Sequence, residues 1–215
     1  MTSSTMLRAI DAWEGRSEPA ASPLWLRVIY TLFVALLVPI YWRTYGPANF
    51  LWFSDIALFL TLLSLWTGNR LWVSMMAVGV LPLEVFWTLD FALGGKLGLA
   101  GYMFDPALPL YLRGLSLFHL ALPPIILWML YRHGYERDAI VAQTVLAWVV
   151  LPASYFLATA EQNVNWVFGP EGSPQSWMPS GLYLVAYMAI LPVVVFLPMH
   201  ALLRRVFSRR HPPRN

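Results

Sequence analysis

Six runs of about twenty mostly apolar residues follow one another between positions 24 and 203 and leave room for little else. They fall at about 24 to 42, 47 to 66, 71 to 93, 107 to 131, 138 to 159 and 179 to 203, each bounded by charge, Gly or Pro. A helix needs roughly 20 such residues to cross the hydrocarbon core of a bilayer, where every backbone N–H and C=O must be bonded within the structure. The pattern predicts an all-α, six-transmembrane-helix bundle over 24–203, with an N-terminal segment 1–23 and a basic tail 204–215. No separate soluble domain fits. Only 12% of the residues are charged, about half the share usual in a soluble domain. The first run is preceded by Asp11, Glu14 and Glu18 and has no small-x-small cleavage site before Arg43, so it is expected to stay in the mature protein.

Orientation follows from the basic residues, because Lys and Arg are retained on the cytoplasmic side of inserted helices. Six spans put both termini on one side. That side collects Arg8, Arg16, Arg27, Arg70, Arg132, Arg137, Arg204, Arg205, Arg209, Arg210 and Arg214, against Arg43, Lys96 and Arg113 on the other. Both termini are therefore expected in the cytoplasm, in a bacterial-type inner membrane. The loop from Glu161 to Met178 has no Lys or Arg, as a translocated loop should. Trp25, Trp66, Trp72 and Trp128 are expected at the inner interface, and Trp42, Trp87, Trp166 and Trp177 at the outer one.

Before the first span, Met6, Leu7, Ile10 and Trp13 recur at helical spacing beside Arg8, Asp11 and Glu14. The pattern suits a short helix on the membrane surface, and a frayed tail fits the same residues. The closing run RRVFSRRHPPRN is short and follows directly on a span, so it marks topology or touches anionic lipid. Membrane lipids are the expected partners, and nucleic acid is not.

Ionisable groups inside a span cost several kcal/mol unless paired or wet, so each is a functional lead. Here they are Asp55, Glu84, Asp90, Arg113 and His119. At about 1.5 Å per residue from the outer ends, Ser54 and Asp55 lie roughly 10 to 12 Å deep, Arg113 roughly 9 Å, Glu84 roughly 14 Å and His119 roughly 15 to 18 Å. Similar depth on neighbouring helices predicts one cavity open to the extracytoplasmic side. Asp55 and Arg113 match in depth and oppose in sign, which predicts an ion pair. Glu84 is expected to hold the imidazole of His119. Ser54, His119 and Glu84 then supply a hydroxyl, a base and an orienting carboxylate, the types needed for nucleophilic catalysis. Ser also packs well between membrane helices, and Ser54 lacks a G-x-S-x-G elbow.

Leu-Pro recurs at Pro82, Pro109, Pro123, Pro152, Pro192 and Pro198. A proline inside a helix leaves the carbonyl four residues earlier without its donor, and in lipid that carbonyl must find another. In the outer loop EQNVNWVFGPEGSPQSWMP, Asn163, Asn165 and Trp166 could bind a lipid phosphate or donate to an oxyanion, while the indoles equally anchor the loop.

The chain has no cysteine, which excludes disulfides, thiolate metal sites, iron–sulfur clusters and c-type haem. His133, His200 and His211 are expected toward the cytoplasm, so no three-ligand metal site forms with His119. No P-loop or dinucleotide fingerprint occurs, and no cofactor or nucleotide is expected.

The run LWFSDIALFLTLLSLW resembles the L-x-[Cys]-Asp-[hydrophobic] helix of YwaF-like bacterial multipass membrane proteins. LSLFHLALPPIILWMLYR resembles that family's Phe-x-x-His helix, and NVNWVFGP its outer Asn-x-Asn-Trp-x-x-Gly loop. The likeness runs from about 47 to 203. The family is similar to eukaryotic phospholipid acyltransferases that use an intramembrane Cys and His, and more distantly to androgen-induced lipid esterases that use Thr and His. The resemblance implies acyl hydrolysis or transfer, with Ser54 standing at the thiol position and His119 at the family's histidine. The residues themselves leave three readings open: acyl chemistry, a cavity that binds or moves a small polar or lipid ligand, and a structural membrane partner.

Overall fold

A computed structural model of the chain describes residues 22–170 and 173–207. All regular elements among the described residues are helical. They are α1 (Leu24–Tyr45), α2 (Phe53–Thr67), α3 (Arg70–Gly79), α4 (Leu81–Ala92), α5 (Leu110–Ser116), α6 (Phe118–His133), α7 (Ala139–Leu157), α8 (Ser180–Leu191) and α9 (Leu197–Phe207). Short 3-10 turns lie at Pro47–Leu51, Gly101–Phe104 and Val164–Trp166, and a π turn at Pro192–Phe196 joins α8 to α9. The expected surface helix around Met6–Trp13 and the end of the basic tail lie outside the described residues. Arg204 and Arg205 lie in the last turn of α9, where cations favour the helix dipole.

By length and apolar content, four stretches among the described residues can cross a membrane: α1, Leu110–His133, α7 and Ser180–Phe207. The bent pair α3–α4 makes five. The expected run 47 to 66 differs. Gly46, at φ 79°, ends α1, Pro47 opens the 3-10 turn, and Trp52 is extended, so the helix begins only at Phe53. Its 15 residues rise about 22 Å, short of a bilayer core of roughly 30 Å. The run 71 to 93 is bent by 55° at Val80. Pro82 has no N–H for the carbonyl of Val78, so the helix stops and restarts with the proline in its first turn.

The core centres on α3, which packs against α2, α6 and α7 with Val73, Met76, Ala77 and Val78 wholly buried. The peripheral helices are the reverse. Ile29, Leu32 and Leu36 of α1, Val141, Val145 and Val149 of α7, and Leu182 and Val185 of α8 are all exposed. Such a surface is unfavourable in water and costs nothing against acyl chains. These are the apolar helices of a membrane protein.

One of the Leu-Pro expectations can be followed to its partner. Pro192 leaves the carbonyl of Met188 without a backbone donor, and the indole N–H of Trp148 on α7 donates to it at 3.1 Å. The strain of the same proline is taken up in the π turn that it opens.

The connections sort to two ends of the bundle. At one, Arg70 Nε donates to Glu136 at 2.7 Å, and the Tyr135 hydroxyl meets His200 Nδ1 at 2.7 Å. At the other, the segments 46–52, 93–109 and 158–170 close over the start of α2, and the candidate site lies beneath them.

Candidate functional site

A cavity of about 450 Å³ lies at this second end, walled by α1, α2, α4, α5, α6, α8 and the three connections. Ser54, Asp55, Glu84, His119, Asn165 and Trp166 all line it. Arg113 and Asn163 do not.

Glu84 sits one turn into α4, immediately after the bend at Val80, and the bend turns it toward α6. Its Oε2 lies 2.8 Å from His119 Nδ1, and Glu84 is 3% exposed. The bond expected between these two residues is thus present. An ionised carboxylate only accepts, so Nδ1 then carries the ring proton. The imidazole is also gripped by rings: Trp87 stacks on it at 4.5 Å between centroids and Phe118 at 4.1 Å. Trp87 is one turn beyond Glu84, the spacing that puts two side chains on one helix face. It is buried in the site. Trp42 and Trp177 are exposed.

Asp55 falls in the first turn of α2, where a carboxylate favours the positive end of the helix dipole. The late start of α2 therefore moves it from mid-span to a helix terminus. Its expected ion pair with Arg113 does not form. Asp55 Oδ2 accepts from Asn49 Nδ2 at 3.2 Å, and Oδ1 is buried without a hydrogen bond. Arg113 reaches the carbonyl of Met103 at 3.4 Å instead, and its Nε is unbonded. Equal height on two helices does not make equal azimuth, and depth along the chain carries no rotation.

Ser54 lines the cavity, but among the described residues no hydrogen bond joins its hydroxyl to His119. The second serine in the wall, Ser116, donates to the carbonyl of Leu112 at 3.1 Å and accepts from Tyr41 at 3.0 Å. A nucleophile bonded to its base is absent from this arrangement.

The asparagines of the last loop serve the backbone. Asn163 and Asn165 adopt φ of 39° and 54°, a left-handed region that Asn tolerates better than most residues. Asn163 donates to the carbonyl of Gly169 and accepts from the N–H of Phe168 within its own loop, so its amide is engaged in the fold. Asn165 accepts from the N–H of Phe53 at 3.0 Å and donates to Leu51 O at 2.7 Å and Ser154 Oγ at 3.0 Å. It satisfies an orphan donor at the start of α2 and staples the loop over the cavity. Both its donor and its acceptor are engaged in the fold, although the residue stands in the wall. Trp166, at φ 59°, lines the cavity.

Asp90 is wholly buried and receives the N–H groups of Leu97 at 2.6 Å and Ala100 at 2.7 Å. It thereby fixes the glycine-rich connection whose Leu97–Leu99 roof the cavity. Asn49, which holds Asp55, was not foreseen: it stands in an irregular turn, where no periodicity points to it. Among the described residues no three His, Asp or Glu converge as metal ligands.

The chain matches no family model, no curated protein and no solved structure. Its chemistry is read from its own geometry.

Proposed function

We propose that this protein is a six-span protein of the cytoplasmic membrane whose cavity, open to the extracytoplasmic side, receives a small ligand. The observation that carries the reading is the grouping of Asp55, Glu84 and His119 in one wall of a 450 Å³ space, a size usual for small-ligand sites. Six traverses are supported by the sorting of connections to two ends, with α2 as a short crossing completed by the 3-10 turn before it. The orientation is supported by the charge bias: Arg70, Arg132, Arg137 and Arg204 lie toward the end opposite the cavity. Membrane lipids surround the exposed apolar faces and are candidate ligands themselves.

Binding is favoured over acyl chemistry because the Ser54 hydroxyl has no hydrogen bond to His119. Hydrolysis or acyl transfer stays as the second reading on one observation, the Glu84–His119 pair beside a wall hydroxyl. Kinship with YwaF-like proteins would favour it. It requires fluorophosphonate labelling that Ser54→Ala and His119→Ala both abolish.

The binding reading is tested by thermal melting of the full chain in detergent with choline, ethanolamine, glycerol 3-phosphate and myo-inositol. A ligand at 100 times its Kd stabilises by about 2.7 kcal/mol. At least one probe is expected to raise the Tm of the wild type and leave that of Ser54→Trp, whose indole fills the cavity, unchanged. No shift with any probe, or equal shifts in both proteins, would contradict the reading.

A further inference from the structure

The cavity wall contains a buried acceptor with nothing to accept from. Asp55 is 3% exposed, its Oδ2 is held by Asn49, and its Oδ1 has no hydrogen bond. An unpaired carboxylate at low dielectric is costly until a cation or donor joins it. The second carboxylate of the wall, Glu84, is taken by His119. No Lys or Arg lines the cavity, and Arg113 is turned to the Met103 carbonyl. An anionic ligand would therefore meet two acidic groups and no basic side chain beyond the imidazole.

Much of the rest of the wall is aromatic. Trp52 and Trp166 both line the cavity, and neither stacks on another ring among the described residues. The face of an indole carries the negative lobe of the ring quadrupole, and Trp is the strongest of the rings in attracting a cation. Tyr45 and Tyr187 add two further rings to the wall. A carboxylate with an unbonded oxygen in the same wall as two indoles that stack on no other ring has the recognition chemistry of an organic cation.

We propose that the cavity binds an alkylammonium group, with Asp55 Oδ1 as its counter-ion and Trp52 and Trp166 against its methyl or methylene groups. This rests on the ligand-binding reading above and gives that ligand its chemical class. The group occurs both in free amines such as choline and in the headgroups of phosphatidylcholine and phosphatidylethanolamine.

The test uses the purified full chain and its tryptophan fluorescence. In detergent, choline is titrated against its uncharged carbon isostere 3,3-dimethylbutan-1-ol, with sodium chloride matching ionic strength. In nanodiscs of phosphatidylcholine or phosphatidylglycerol, the lipid retained after detergent extraction is measured by native mass spectrometry. Saturable quenching by choline at least about tenfold tighter than by the isostere is expected, the gain of a cation over an aromatic and acidic site. Asp55→Asn and Trp52→Leu should each weaken it several-fold. If choline fails while phosphatidylcholine is retained over phosphatidylglycerol, and Asp55→Asn abolishes that preference, the cation comes from a headgroup and the proposal stands. Equal affinity for choline and the isostere, or a preference for phosphatidylglycerol, overturns the proposal while leaving a ligand site in place. No response to any probe or lipid, in wild type and Ser54→Trp alike, overturns both. The comparison of choline with its isostere needs only the wild type, so a variant that fails to fold does not shield the proposal.

Discussion

Glu84 on α4 meets His119 on α6 at 2.8 Å, and the pair is enclosed by Trp87 and Phe118. This contact ties the half of the bent helix beyond Val80 to the helix that faces it, so the geometry of the bend and that of the cavity are set together. Glu84→Leu leaves the buried ring N–H without its acceptor and should cost about 1–3 kcal/mol. Glu84→Gln keeps an acceptor and should cost less. Thermal melting in detergent distinguishes the two, and equal losses would mean that the bond contributes nothing.

Asn165 is expected to matter more for the fold than for recognition. Asn165→Ala removes three hydrogen bonds, strips the acceptor from the Phe53 N–H and places alanine at φ 54°. A loss of about 2–4 kcal/mol follows from buried groups left unpaired and from the backbone strain. Proteinase K should cleave the 158–179 segment of this variant faster than that of the wild type. A variant with wild-type stability and cleavage would refute the stapling role.

Trp148 is predicted to act as the substitute donor for a proline. Trp148→Phe leaves the Met188 carbonyl unbonded and should cost about 1 kcal/mol. In a Pro192→Ala background the backbone can supply its own N–H, so the same change should cost close to nothing. A double-mutant cycle of melting curves measures the coupling, and additive effects would contradict it.

Close packing of α3 on α7 gives a fourth expectation. A Cβ at Gly79 would clash with the side-chain amide of Gln143, which is wholly buried. Gly79→Ala should therefore destabilise by about 1–3 kcal/mol, as overpacking does. Gln143→Ala should recover most of that loss, and absence of recovery would locate the strain elsewhere.

The helical class was legible because membrane spans announce themselves by length alone, and so was the meeting of Glu84 with His119, since both lie at similar height on helices that bracket one loop. The start of α2 was less so. An apolar run reads as continuous from 47, and only Pro47 together with Ser54 and Asp55, residue types favoured near helix N-termini, hinted that the helix begins later. The Asp55–Arg113 pair failed for a different reason: rise per residue gives height, and the azimuth of each helix is set by packing that a single sequence does not encode locally. Asn163 and Asn165 looked like ligand groups because their amides are versatile, yet the same versatility lets them tolerate left-handed backbone and bond structural groups, Asn163 within its own loop and Asn165 across to the start of α2 and to α7.

The central claim, a cavity reached from outside the cell, is tested most directly by thiol accessibility. The chain has no cysteine, so any introduced thiol is the only one in it. Ser54→Cys and Arg137→Cys are expressed separately in intact cells and treated with membrane-impermeant methanethiosulfonates. The account predicts that Cys at 54 reacts from outside, faster with the trimethylammonium reagent than with the sulfonate, and that Cys at 137 reacts only after permeabilisation. Reaction at 137 from outside, with 54 protected until the membrane is opened, would contradict it.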